Sequence, residues 1–138
     1  MISRLVHIPA GPSGTISLEG MLELPGNATG VVLFAHGSGS SRLSPRNNTV
    51  ARVLREDGMG TLLIDLLTQD EDTDYATRFE IPLLTRRLLA ATRWLQSEPS
   101  TRSLAIGYFG ASTGAAAALQ AAAEEGRKIA AVVSRGGR

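Results

Sequence analysis

The sequence predicts an α/β fold: a mainly parallel sheet with helices on both faces, entered through an N-terminal β-hairpin. Three observations carry the prediction. An unbroken apolar run at 31–35, with further apolar-rich stretches at 61–64, 104–109 and 129–133, looks like a set of buried strands. Stretches with apolar residues at helical spacing lie between them. The resulting order, a hairpin and then β-α-β-α-β-α-β, is the alternation that right-handed crossovers wind into a parallel sheet.

The elements follow in order. Residues 2–8 and 14–24 are strand-like and are joined by Gly11-Pro12-Ser13-Gly14, a turn composition. Residues 26–30 form the next turn, and Val31 to Ala35 are the first buried strand. Ser44-Pro45 is an N-cap followed by Pro at the first helical position. Val50, Ala51, Val53 and Leu54 then recur at helical spacing, and Gly58 stops the helix. Thr61 to Ile64 form a second buried strand ending at Asp65. The acidic stretch 70–74 reads as a solvated loop, with Tyr75 and Phe79 beside it. A helix runs from Pro82 to about Gln96 with Leu84, Leu88, Ala91 and Leu95 as its inner stripe, and Arg86, Arg87 and Arg93 lie elsewhere on the wheel. A third buried strand covers Leu104 to Phe109, a helix spans Thr113 to Glu125 and stops at Gly126, and residues 129–133 are expected as a fourth buried strand.

Composition narrows the function. At 138 residues, with no internal repeat and no linker, one domain over 1–138 is expected. Hydrophobic residues make up 43% and charged residues 20%, which is globular rather than disordered. The net charge of +1 offers no one-signed field, so neither nucleic acid nor an anionic membrane is an expected partner. There is no Cys, hence no disulfide, thiolate nucleophile or thiolate-bound metal. Only His7 and His36 are present, and no metal site or cofactor is expected. The N-terminus has no long apolar stretch of the signal-peptide kind, which points to a cytoplasmic protein. Leu104 to Ala123 is uncharged and long enough to cross a bilayer, but its glycines, Ser112, Thr113 and Gln120 suit a buried strand, a tight turn and a buried helix better.

Two loops could carry chemistry. Gly110-Ala111-Ser112-Thr113-Gly114 matches G-x-S-x-G between an apolar strand and a helix, which is the setting of a nucleophile elbow. There Gly110 and Gly114 leave room for close backbone packing, and the hydroxyl of Ser112 rises above the C-terminal edge of the sheet. The second loop, His36 to Ser41, follows the first buried strand. Acyl transfer needs two N–H donors where the carbonyl oxygen turns negative. The N–H groups of Ser38 and Thr113 are the candidates for this oxyanion hole, with Gly37 and Gly39 letting backbone approach a substrate.

His-Gly-Ser-Gly-Ser at 36–40, Ser-Pro-Arg-Asn at 44–47, Leu-Ile-Asp-Leu-Leu-Thr at 63–68, Gly-Tyr-Phe-Gly-Ala-Ser-Thr-Gly at 107–114 and Ser-Arg-Gly-Gly-Arg at 134–138 resemble the α/β-hydrolase superfamily, and within it the bacterial branch called dienelactone-hydrolase-like. The resemblance covers essentially the whole chain. It implies a serine hydrolase of carboxylic esters or lactones, working through an acyl-enzyme at Ser112. Dienelactone hydrolases proper use a Cys nucleophile, so the Ser at this position departs from them. The resemblance also implies a triad in the chain order Ser, Asp or Glu, His. After Ser112 there is no His, and the only acids are Glu124 and Glu125, at the far end of a helix. The family carries a His at the position of His36 that is not the catalytic base, and His7 lies on an outer strand. The chain is therefore expected to be a C-terminally truncated domain, weak or inactive alone. Its last strand should have an uncovered edge, open to a complementing C-terminal segment or to another copy.

Two other readings compete. A Rossmann-type nucleotide binder would use strand 31–35, the Gly loop and Asp65. Asp65 lies later than the ribose acid should, and Arg42 stands where the third glycine belongs. A non-catalytic interaction protein would keep the scaffold without the triad.

Overall fold

A computed structural model describes residues 1–136. Gly137 and Arg138, the end of the Ser134–Arg138 motif, lie outside the described residues. Strand β1 (Ile2–Ala10) turns through a 3-10 segment at Pro12–Gly14 into β2 (Ile16–Leu24). Then follow β3 (Gly30–Ala35), α1 (Pro45–Glu56), β4 (Gly60–Ile64), a short α2 (Gln69–Asp72), α3 (Ile81–Ser97), β5 (Ala105–Ala111), α4 (Thr113–Glu125) and β6 (Ile129–Arg135). The stretch 104–123 is thus a strand, a turn and a helix, and no helix among the described residues is long and apolar enough to cross a membrane.

The six strands form one sheet in the order β1-β2-β4-β3-β5-β6. The β1–β2 hairpin joins antiparallel to β4, and β4, β3, β5 and β6 run parallel. Because side chains alternate across a strand, β3 serves two cores. Val31, Leu33 and Ala35 enter the large core under α3 and α4, while Phe34 joins Ala51, Leu63 and Phe109 under α1. The stripe Leu84, Leu88, Ala91 and Leu95 of α3 is fully buried, and each leucine contributes about 1.5–3 kcal/mol by burial. Tyr108 of β5 reaches the same core and shares a 2.7 Å hydrogen bond with Thr92 of α3, so its hydroxyl is buried but satisfied. Pro9 lies in β1, an edge strand, where a missing N–H is tolerated.

Three expectations are corrected. The stretch 70–74 is not simply a solvated loop. Thr68 caps α2, with its hydroxyl accepting the Glu71 N–H and the Glu71 carboxylate accepting the Thr68 N–H, a capping box that organises the segment. Arg87 does not face outward: it is 5% exposed and donates to the Glu71 carboxylate at 2.7 Å, tying α2 to α3. And β6 is not a strand covered on both faces. It occupies the edge of the described sheet, and Ala130, Ala131 and Val133 are exposed, so the apolar edge is uncovered as expected while the burial is not.

Candidate functional site

In a parallel α/β sheet the C-terminal strand ends and the helix N-termini meet along one edge. Ser112 stands there, between β5 and α4, at φ 56° and ψ −122°. A non-glycine residue in this region stores backbone strain and persists only when its surroundings hold it. Here the Ser112 N–H donates to the Arg135 carbonyl at 3.1 Å, and the Ser112 carbonyl accepts the Ala115 N–H at 2.9 Å. The residue is half-buried.

The glycines around it are sites of close approach. A Cβ on Gly110 would lie 2.6 Å from Ala115 Cα, and one on Gly114 would lie 2.1 Å from the Ala35 carbonyl oxygen. The first turn of α4 therefore sits directly on the ends of β5 and β3. A Cβ on Gly37 would lie 3.0 Å from Ser112 Cβ and 3.7 Å from its Oγ, so the structure brings together the two loops that the sequence singled out. Gly39 has φ 74° and turns the loop beyond Ser38. Among the described residues no backbone carbonyl takes the N–H of Ser38 or of Thr113, whereas the neighbouring Ser40 N–H closes a turn onto Gly37 at 3.1 Å. Ser38 is half-buried, and Thr113 is buried with a hydroxyl that has no partner.

Sequence reasoning missed what holds this loop. His36 is 8% exposed and both ring nitrogens are engaged. Its Nε2 accepts the Leu66 N–H at 2.9 Å, which leaves the proton on Nδ1 to donate to the Gly37 carbonyl at 2.9 Å. Burial pushes the His36 pKa below its usual value and outweighs the carboxylates of Asp65 and Asp72. At the other end of the loop, Asp65 Oδ1 accepts the Arg42 N–H at 2.7 Å and Oδ2 lies 3.4 Å from Arg42 Nε. The two residues just past β4 thus grip the loop at both ends. A signal for this existed in the strand-terminal position of Asp65, but its partner 23 residues upstream is visible only in the fold. The carboxylate is occupied by Arg42, and the sheet enters through an antiparallel hairpin, so the Rossmann alternative is set aside.

No imidazole reaches Ser112 among the described residues. His36 is committed on both nitrogens. His7 is exposed on β1, four strand positions from β5, or about 19 Å at the usual strand spacing. Glu124 and Glu125 end α4, at about 1.5 Å of rise per residue from its start and so roughly 16–18 Å away. A polar cleft of about 520 Å³ flanks the loop, lined by His36, Ser40, Arg42, Asp65, Thr68 and Asp72. A second, of about 850 Å³, lies between the hairpin tip and α3. Ser112 lines neither. Among the described residues no cluster of three potential metal ligands occurs.

Known proteins share this fold. No family model matches the chain. The solved structure of a dienelactone hydrolase from Anabaena variabilis is 55% identical and superposes with a TM-score of 0.93, covering 99% of this chain and 64% of that one. Two esterases share the fold at 22% identity: Est1E from Butyrivibrio proteoclasticus, with a TM-score of 0.75 over 93% of this chain and 49% of its own, and Pf2001 from Pyrococcus furiosus, with 0.77 over 99% and 50%. Two curated Mycobacterium tuberculosis proteins, from strains CDC 1551 and H37Rv and each named a putative phosphoribosyl transferase, are 53% identical over 133 residues, which is 96% of this chain and 29% of theirs. This chain thus spans under a third of the curated relatives and just under two-thirds of the hydrolase that it superposes on so closely. With that superposition, and with the same fold recurring in the two esterases, the chain has the α/β-hydrolase fold and resembles dienelactone hydrolase over the part that it spans.

Proposed function

We propose that this chain holds the nucleophile and the oxyanion cradle of a serine hydrolase acting on small carboxylic esters or lactones. The observation that carries the reading is the strained backbone of Ser112, with the Gly37 backbone packed against its side chain. Strain of this kind persists where the geometry is used. In the proposed step Ser112 Oγ attacks the ester carbonyl carbon while a base takes its proton. The new oxyanion accepts the N–H groups of Ser38 and Thr113. The C–O bond to the alcohol then breaks, and the alcohol leaves with the proton. Water repeats the sequence on the acyl-enzyme. Gly37, Gly39, Gly110 and Gly114 supply the close approaches. The step needs a base and an acid partner, which the described residues do not place beside Ser112. The transferase name belongs to proteins of which this chain matches 29%, so the esterase reading is drawn instead from the 55%-identical hydrolase.

A fluorophosphonate probe tests the proposal. The 138-residue chain alone should label faintly. A chimera in which it replaces the matching part of the Anabaena variabilis dienelactone hydrolase should label strongly, and Ser112→Ala should abolish that labelling. A folded chimera that does not label overturns the serine assignment. Strong labelling of the chain alone shows that a base lies within it.

A further inference from the structure

The cleft of about 850 Å³ between the β1–β2 hairpin tip and α3 shares no lining residue with the Ser112 site. It runs along α3 from Leu83 to Ser97, roughly 21 Å at the usual helical rise. Leu83, Arg86, Ala90, Arg93 and Ser97 line it and recur three and four residues apart, which sets them on one stripe of the helix. The opposite stripe, with Leu84, Leu88, Ala91 and Leu95, is the one buried in the core. Thus α3 carries a second, outward stripe at the spacing on which another helix packs.

The floor of the cleft is apolar. Leu83, Ala90 and Trp94 are partly buried and pack on the large core, while Pro9 and Pro12 of the hairpin tip form the facing wall. The rim is cationic. Arg86 and Arg93 are exposed, and neither pairs with a carboxylate among the described residues, although Glu124 lines the same cleft. Arg87, also in the lining, is neutralised by Glu71. Arg86 and Arg93 stand two helical turns, about 10.5 Å, apart. Tryptophan and arginine are enriched among the residues that dominate interface energies.

An apolar floor between two unpaired positive charges complements a helix whose apolar stripe is flanked by carboxylates two turns apart. A second copy of this chain does not supply one: α3 has no acid, and α1 and α4 carry acids only at their C-terminal ends. A single-chain anionic lipid carries its charge at one end and leaves the second arginine unmatched. We infer that this cleft docks an acidic amphipathic helix of a partner protein, with two carboxylates against Arg86 and Arg93 and the apolar stripe over Ala90 and Trp94. Ser112 and its loop take no part in the contact.

Trp94 is the only tryptophan, so its emission reports on this cleft alone. The probe is a capped, alanine-based peptide of about 16 residues, roughly 24 Å of helix, with leucines three and four apart and two glutamates seven apart. Titrated into the 138-residue chain at low salt, it should shift Trp94 emission along a saturating curve and shield the ring from acrylamide. The same peptide with both glutamates replaced by glutamine should bind several-fold, up to about tenfold, more weakly. Arg86→Gln/Arg93→Gln alters only exposed side chains, and it should bind both peptides equally at the weaker value. High salt should erase the difference in the unaltered chain. Emission and quenching that ignore the peptide, equal affinity for the two peptides, or a preference for glutamate that survives in the double variant overturns the inference. Tighter binding of sodium dodecanoate than of the peptide overturns it in favour of a lipid chain. Emission that changes when the chain alone is diluted overturns it in favour of a second copy.

Discussion

The ring Nε2 of His36 accepts the backbone N–H of Leu66 at 2.9 Å. One bond thereby ties the loop after β3 to the first residues after β4. The opposite nitrogen donates to the Gly37 carbonyl, so the ring is useful to the fold only while it is neutral.

That requirement sets a pH dependence. Burial holds the folded His36 pKa below its ordinary value, whereas the unfolded chain binds the proton near pH 6.5. The unfolded state thus binds more protons below that pH, and stability falls as pH drops from about 7 toward 5. Urea unfolding across this range should show the slope, and His36→Gln should flatten it. An equal slope in the variant removes His36 from the account.

Asp65 holds the other end of the loop through the Arg42 N–H. Asp65→Ala leaves that donor without its partner and should cost about 1–2 kcal/mol. Asp65→Asn keeps the acceptor oxygen and loses only a partly exposed ion pair, so it should cost under about 1 kcal/mol. Amide exchange at Arg42 separates the cases: fast in the alanine variant, slow in the asparagine variant.

Arg87 and Glu71 form a pair in which the arginine side chain is 6% and the glutamate 24% exposed. Arg87→Met should destabilise the chain by about 2–4 kcal/mol, near the low end for broken buried pairs because Glu71 keeps contact with water. The Arg87 hydrogen bond holds the Glu71 carboxyl below the usual carboxylate range. Its contribution is present at neutral pH and is lost as pH falls through that lowered value. A thermal melt series from pH 6 to pH 3 should lose this acid-dependent part in Glu71→Gln.

The elbow supplies a paired test. Ser112 is strained, and glycine adopts its backbone angles freely, so Ser112→Gly should stabilise the fold by about 1 kcal/mol while removing the nucleophile. Gly114→Ala should do the reverse, costing more than about 3 kcal/mol, because its Cβ has no room against the Ala35 carbonyl. Gly26→Ala, with nothing within 4 Å, is the neutral control. Denaturant midpoints for the three variants decide the matter.

Much of this was legible in the residues. The helix Thr113–Glu125 emerged with its bounds as expected, because a strand, a glycine-flanked turn and a terminal glycine punctuate it. The Ser44 cap and the Leu84–Leu95 stripe are local patterns too. The capping box at Thr68 and Glu71 was equally local and was overshadowed by the run of acids around it. The inward turn of Arg87 was not legible, because an arginine is buried only where a distant carboxylate meets it. Nor was the exposure of β6: an apolar run is the same whether or not another element covers it.

The sequence by itself determined the order of the elements, the two glycine-rich loops and the residue types that each carries, since these follow from periodicity and turn chemistry along the chain. Only the tertiary structure decided that Gly37 rests against Ser112 and that His36 and Asp65 grip the loop between them. Those contacts join residues far apart in the chain, and it is the winding of parallel strands that brings their C-terminal ends to one edge.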